Sequence, residues 1–274
     1  LQIPFRGFSI MILIRPFFQP ILFSSSHRFN VKLIATIATL RQYEDFFVGN
    51  LPRTTSSYYN TIITTVRPMT TAYSGNPGTG VAGLDQISYL PIETRIKNGS
   101  KVQISPFLEQ DWPIGMELMN LIIREGKTWP FDQEFETMDS YRGYFLSHAA
   151  FVVRAMEPGV DSQGVKYKSG EIMGCFYIKP NFPGRCSHIC NGGFITSPKF
   201  RKMGVATIMG KSFLKLAKDL GYKSSYFNLV FKSNVASIRL WESLGFDRVA
   251  VLENAAKLEG VEGLDTAYGY RYDL

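Results

Sequence analysis

Apolar and polar positions alternate, cluster and re-space along this chain in a way that separates its elements. In "TRIKNGSKVQISPF" two alternating runs flank Asn98-Gly99. A type I′ turn needs positive φ at both central residues, so this dipeptide predicts a hairpin. "LEQDWPIGMELMNLIIREGK" then carries Met116, Met119 and residues 121–123 at helical spacing, with Gly126 as the stop. A second helix is expected around Ser140–His148. "AAFVVRA" and "EIMGCFYIKP" read as buried strands, separated by a Pro/Gly/Asp/Ser loop over 157–170. A strand over 188–196 leads through an Arg-Gly loop into the helix "ATIMGKSFLKLAKDLGYK", with Leu214, Leu216, Ala217 and Leu220 along one side. "SSYFNLVF" is another strand. "SNVASIRLWESLGF" is a helix opened by Ser233 and Asn234 and closed at Gly245. "DTAYGYRYDL" is a final strand. Strands interleaved with helices, without an internal repeat, predict one α/β domain with a mixed sheet over residues 94–274.

Upstream the pattern fails. Residues 50–90 are dominated by Thr, Ser, Tyr, Gly and Pro with almost no charge, and the stretch 44–93 reads as a Ser/Thr/Gly-rich linker. Residues 1–43 hold Arg6, Arg15, Arg28, Lys32 and Arg41 and no acid. They therefore carry +5 of the chain's net +7, leaving +2 for everything after them. That location changes what the charge means: the body is near neutral, and a nucleic-acid role is not expected. The segment suits a mitochondrial transit peptide or a disordered basic arm, so residence is expected to be cytoplasmic or mitochondrial. Arg6 and Arg15 interrupt "IPFRGFSIMILIRPFF", and no membrane span is expected there. Three cysteines and no evident secretory signal fit a reducing compartment better than a disulfide framework.

The candidate chemistry lies in "PGRCSHICNGGFITSPKFRKMGVA", residues 183–206. If this strand is regular, Cys186, His188 and Cys190 share a face, with Cys175 a conceivable fourth ligand. Structural zinc favours cysteine pairs at separate corners over three ligands in one extended strand, so core or pocket wall is the preferred reading and no metal is expected. His188 has the parity of Cys190, opposite to Asn191. In the loop, Arg201, Lys202, Met203, Gly204, Val205 and Ala206 join strand to helix. Outward N–H groups and the helix dipole favour an anion there, and small residues let it approach the main chain. The same loop also fits an ordinary strand-to-helix turn with basic residues facing solvent.

R-x-x-G-x-A followed by helix, strand and N-x-x-S-x-x-L-W-x-x-L-G-F (Asn234 to Phe246) resembles the GCN5-related N-acetyltransferase superfamily, over about residues 94–274. "FYIKPN", "RCSHICNGGF", "LGYKSSYFNLVF" and "NVASIRLWESLGF" are most similar to the fungal N-acetyltransferases that act on L-azetidine-2-carboxylate and related proline analogues. The resemblance to those enzymes carries an implied link to proline metabolism and oxidative-stress tolerance. It implies a single acetyltransferase domain with a mixed seven-stranded sheet, splayed between its fourth strand (Ile189–Thr196) and fifth (Tyr226–Phe231). It also implies acetyl-CoA as co-substrate, held by Phe194, Ile195, Thr196, the 201–206 loop, Asn234, Ser237 and Trp241. A small-molecule amine is the implied partner, and association into a homodimer is compatible with it.

Many superfamily members place a Glu on the fourth strand as base and a Tyr on the last helix as acid. "ICNGGFIT" has no carboxylate, and Trp241 stands at the tyrosine position. An indole N–H cannot hand a proton to sulfur. What remains are amides, Asn191 and Asn228, which the resemblance assigns to substrate and catalysis; they offer donors for a carboxylate or hold a water that relays the amine proton. Asn234 serves equally as an N-cap. Acids are sparse near the expected gap, which disfavours a polyamine acceptor. Three functions stay open: a small cyclic amino acid acetyltransferase working through a ternary complex, an acetyltransferase for another amine such as a peptide or polyamine, and a non-catalytic CoA-binding regulator.

Overall fold

The structure, a computed structural model, describes residues 2–5, 8–11 and 77–274. It divides into two units, residues 1–67 and 68–274. In the first, β1 (Gln2–Phe5) pairs antiparallel with β2 (Phe8–Met11). The remainder of the basic arm, and the linker up to residue 76, lie outside the described residues.

The second unit begins upstream of residue 94. Ala150 N donates to Gly80 O and Gly80 N to Leu146 O, and Ile87 is buried, so residues 78–87 lie against the domain. β3 (Ile92–Arg95) and β4 (Lys101–Pro106) form the hairpin expected at Asn98-Gly99, but only Gly99 takes positive φ, 89°, so the connection is a longer loop closed by Ile96 N donating to Ser100 O and not a type I′ turn. α1 (Trp112–Glu125) opens with Pro113 in its first turn, where its missing N–H costs nothing, and stops at Gly126 in the left-handed region. α2 (Met138–Phe145) is capped by Thr137, whose hydroxyl accepts from Ser140 N. It ends before His148, and β5 (Ala149–Ala155) takes over. The loop after β5 contains a small hairpin, β6 (Gly159–Val160) with β7 (Lys166–Tyr167). Then come β8 (Ile172–Pro180), β9 (Ile189–Thr196), α3 (Val205–Asp219), β10 (Ser224–Phe231), α4 (Val235–Ser243), β11 (Asp247–Ala256) and β12 (Asp265–Asp273).

The main sheet runs β11-β12-β10-β9-β8-β5-β4-β3. It has eight strands where seven were expected: β3, β4, β5 and β8 precede Ile189–Thr196, which is therefore the fifth strand of this sheet in chain order and not the fourth, with β10 the sixth. "DRVAVLENAA" gives no burial signal because β11 is an edge strand exposed over residues 247–254. Only β9 and β10 pair in parallel, and only at Ser224↔Ile189 and Ser225↔Cys190. Beyond these two pairs the strands part, opening the splay.

Helices cover both faces. On one, Val205, Met209, Phe213, Leu216 and Trp241 of α3 and α4 pack on Phe176, Cys190 and Phe227. On the other, Met119, Ile122, Tyr141 and Phe145 of α1 and α2 pack on Cys175, Tyr177 and Ile195. Each such large side chain contributes about 1.5–3 kcal/mol on leaving water. Leu214 and Leu220, expected on the apolar side of α3, are half-buried at its margins. Among the described residues no helix is long and apolar enough to cross a membrane.

Candidate functional site

The site is organised by the place where β9 and β10 separate. On β9, side chains alternate across the sheet: Cys190 belongs to the α3/α4 face, while Ile195 belongs to the α1/α2 face. Asn191 shares the parity of Ile195, is 7% exposed and makes no side-chain hydrogen bond among the described residues. Asn228 lies in a bulge: two residues of β10, Asn228 and Leu229, fall between the pairs Phe227↔Tyr270 and Val230↔Tyr268. Freed from the ladder, its amide spans the gap to Asn181, just beyond β8. Asn181 Nδ2 donates to Asn228 Oδ1 at 2.9 Å and Asn228 Nδ2 to Asn181 Oδ1 at 2.7 Å. The sequence reading sets Asn191 and Asn228 facing the gap; the structure adds Asn181 as the hydrogen-bond partner of Asn228. A buried asparagine following "IKP" was the available signal for that partner.

Along the far half of β9, the side facing β10 has no strand partner, so Phe194, Ile195 and Thr196 border the open gap with backbone alone. Their side chains do other work. Ile195 is buried, and Phe194 stacks on Phe176 at 5.7 Å and meets Trp241 at 4.8 Å. Trp241 is 5% exposed among Phe194, Phe227 and Phe246. Its indole is thus a core side chain, packed on three aromatic rings.

The 201–206 loop ends at Gly204, φ 87°, the N-cap of α3. Lys97 N donates to Met203 O, docking the β3–β4 hairpin beneath it, and a Cβ on Gly204 would lie 3.1 Å from Lys97 Cβ. Glycine is required there by both the backbone angle and the close approach. The first N–H groups of this 15-residue helix have no intrahelical partner, and no acid stands in its first turn. The arrangement turns backbone donors outward, the geometry that suits an anion. Met203 and Val205 contribute side chains to the core. The Arg201 guanidinium holds both oxygens of Glu125 at the end of α1, at 2.9 and 2.8 Å. Asn234 caps α4, accepting from Ser237 N at 3.2 Å, so the capping role is realised in the geometry.

Cys186 and His188 precede β9, exposed in a turn that includes the 3-10 segment Gly184–Cys186. The alternation expected for them does not exist, because the strand starts at Ile189. Cys175 and Cys190 point to opposite faces, and burial pushes both thiols up, Cys190 to about 12. Among the described residues no three potential metal ligands come together.

Next to Asn228, Leu229 and Phe231 form a wall of a chamber of about 810 Å³. The α1–α2 connection supplies Trp129 and Phe131, and the β11–β12 connection closes the other side through Glu259 N donating to Gly126 O. Asp132, Glu134, Glu136 and Glu259 stand against Arg124 and Lys257, leaving the lining formally two charges negative. Acids are therefore not sparse beside the gap, contrary to the sequence expectation. They come from segments distant in sequence from β9 and β10, so no local motif displays them.

The acetyltransferase (GNAT) family model matches residues 115–246. An N-acetyltransferase of Schizosaccharomyces pombe, aca1, is 40% identical over 160 residues, covering 56% of this chain and 76% of that protein. Among solved structures, a GCN5-related N-acetyltransferase from Kribbella flavida superposes with a TM-score of 0.53 at 23% identity, over 63% of this chain and 98% of that one. The yncA protein of Salmonella typhimurium, solved with its cofactor acetyl-CoA, gives 0.53 at 16% identity over 63% and 94%. At these identities the structural likeness carries the fold alone.

Proposed function

This chain belongs to the acetyltransferase (GNAT) family and is an acetyl-CoA-dependent N-acetyltransferase, and on that premise we propose that its acceptor is the amine of a small cyclic amino acid, azetidine-2-carboxylate or a proline analogue. The observation that carries the reading is the uncharged amide set at the splay, Asn181, Asn191 and Asn228, in a gap whose two strands bring no carboxylate. It is supported by the similarity of "FYIKPN" and "NVASIRLWESLGF" to the proline-analogue enzymes.

Acetyl-CoA supplies the thioester. The α3 N-terminus at Gly204 receives its pyrophosphate through backbone N–H groups. The unpaired edge of β9 near Phe194 offers N–H donors to the charge that develops on the thioester oxygen. Asn191 and Asn228 orient the acceptor and a water that takes the amine proton. Holding amine and thioester together contributes on the order of 7–11 kcal/mol at best, so the chain works without a strong general base.

The acidic chamber favours a second reading, a cationic acceptor such as a polyamine or a peptide N-terminus. Free-thiol release from acetyl-CoA by the full chain, screened over azetidine-2-carboxylate, proline analogues, spermidine and a peptide, separates the two. Release with the cyclic amino acids alone supports the first reading. Release with spermidine or peptide and none with amino acids replaces it by the second.

A further inference from the structure

The mechanism leaves unused one buried charge. Lys179, on β8, is 1% exposed. Its ammonium donates to Tyr144 O at 2.7 Å and lies 4.0 and 4.4 Å from the ring centroids of Tyr144 and Tyr177. No carboxylate lies within ion-pair distance of it among the described residues. Burial pushes its pKa down to about 7. The groups facing it are uncharged: Tyr144 from α2, Tyr177 from its own strand, and His148 just ahead of β5, held neutral by burial and by the lysine's charge, with its pKa near 4.

Directly across the ladder, Lys179 pairs with Asn191. Opposed residues of an antiparallel pair share a face, so the buried ammonium and the unpartnered buried amide lie side by side. Two residues on, Asn181 already spends its amide on Asn228. A cation without an anion beside an amide without a partner makes a donor set that a carboxylate completes.

We propose that Lys179 and Asn191 form the site for the acceptor's carboxylate, making Lys179 the residue that selects amines bearing an acid group over simple amines. The proposal rests on the amino acid reading above and names its recognition element. Because the site requires the ammonium, the KM for a carboxylate acceptor rises as pH climbs above the lysine's pKa, and the KM for the matching carboxamide does not follow it.

The test compares azetidine-2-carboxylate with azetidine-2-carboxamide from pH 6 to 8.5, in the wild-type chain and in Lys179→Met, which keeps length without charge. The expected result is preference for the carboxylate in the wild type. Lys179→Met should raise the KM for the carboxylate by roughly 10- to 100-fold, the range of a hydrogen bond to a charged group. The KM values for acetyl-CoA and the carboxamide should stay put. Carboxylate turnover with the same KM in both proteins overturns the inference and leaves the proposed function standing. Wild-type turnover of amide and simple amines without the amino acid overturns both. Should Lys179→Met fail to fold, the wild-type profile decides: a carboxylate KM that is flat across this range overturns the inference.

Discussion

The buried ammonium of Lys179 makes a prediction about stability that needs no substrate. In the unfolded chain a lysine stays protonated up to about pH 10.4; in the fold burial lowers its pKa to about 7. Between those values the unfolded state binds one more proton than the folded state, so stability rises with pH through that window and falls as pH drops toward 7. Starting from half-protonation at pH 7, raising the pH to 9 should stabilise the wild type by about 2 kcal/mol through this group alone. Lys179→Met removes the titration, so its stability should lack that increment. The change in His148, whose pKa should rise without the nearby charge, falls below this window because its reference value is about 6.5. Urea unfolding of both proteins at pH 7 and pH 9 measures the difference. A wild type that gains no more than the variant, within about 0.5 kcal/mol, would show that Lys179 is solvated or paired in solution and would refute the reasoning.

Three further outcomes follow from the site. Asn191→Ala should lower turnover while leaving acetyl-CoA affinity nearly intact, read by steady-state kinetics beside calorimetric titration of acetyl-CoA; full activity removes Asn191 from the site. Asn234→Ala removes the cap of α4 and should cost about 1 kcal/mol of stability, measured by denaturant unfolding, with a parallel loss of acetyl-CoA affinity only if the amide also reaches the coenzyme. Trp241→Phe should keep most activity and lose about 1–2 kcal/mol of stability from the space left among Phe194, Phe227 and Phe246; near-total loss of turnover in a folded variant would give its N–H a role the packing does not suggest.

The sequence by itself determined the local elements, including the glycine turn that opens α3. Gly99 turned a hairpin, Gly126 and Gly245 ended helices, and Gly204 opened α3, because each of these positions needs a backbone angle that few residues adopt. The order of strands and helices followed, and with it the family. The tertiary structure alone decided what meets across the splay. Asn228 found Asn181 because a bulge in β10 turned its amide across the gap. The acids of the chamber converge from the α1–α2 and β11–β12 connections, more than 100 residues apart in the chain. β11 is not legible in the sequence because an exposed edge strand buries too little to impose a pattern. Lys179 ends an apolar run, where a lysine ordinarily reaches water; only the covering rings of Tyr144 and Tyr177 make it a buried charge. Local backbone chemistry is written in neighbouring residues, whereas burial and charge environment belong to residues that folding brings together.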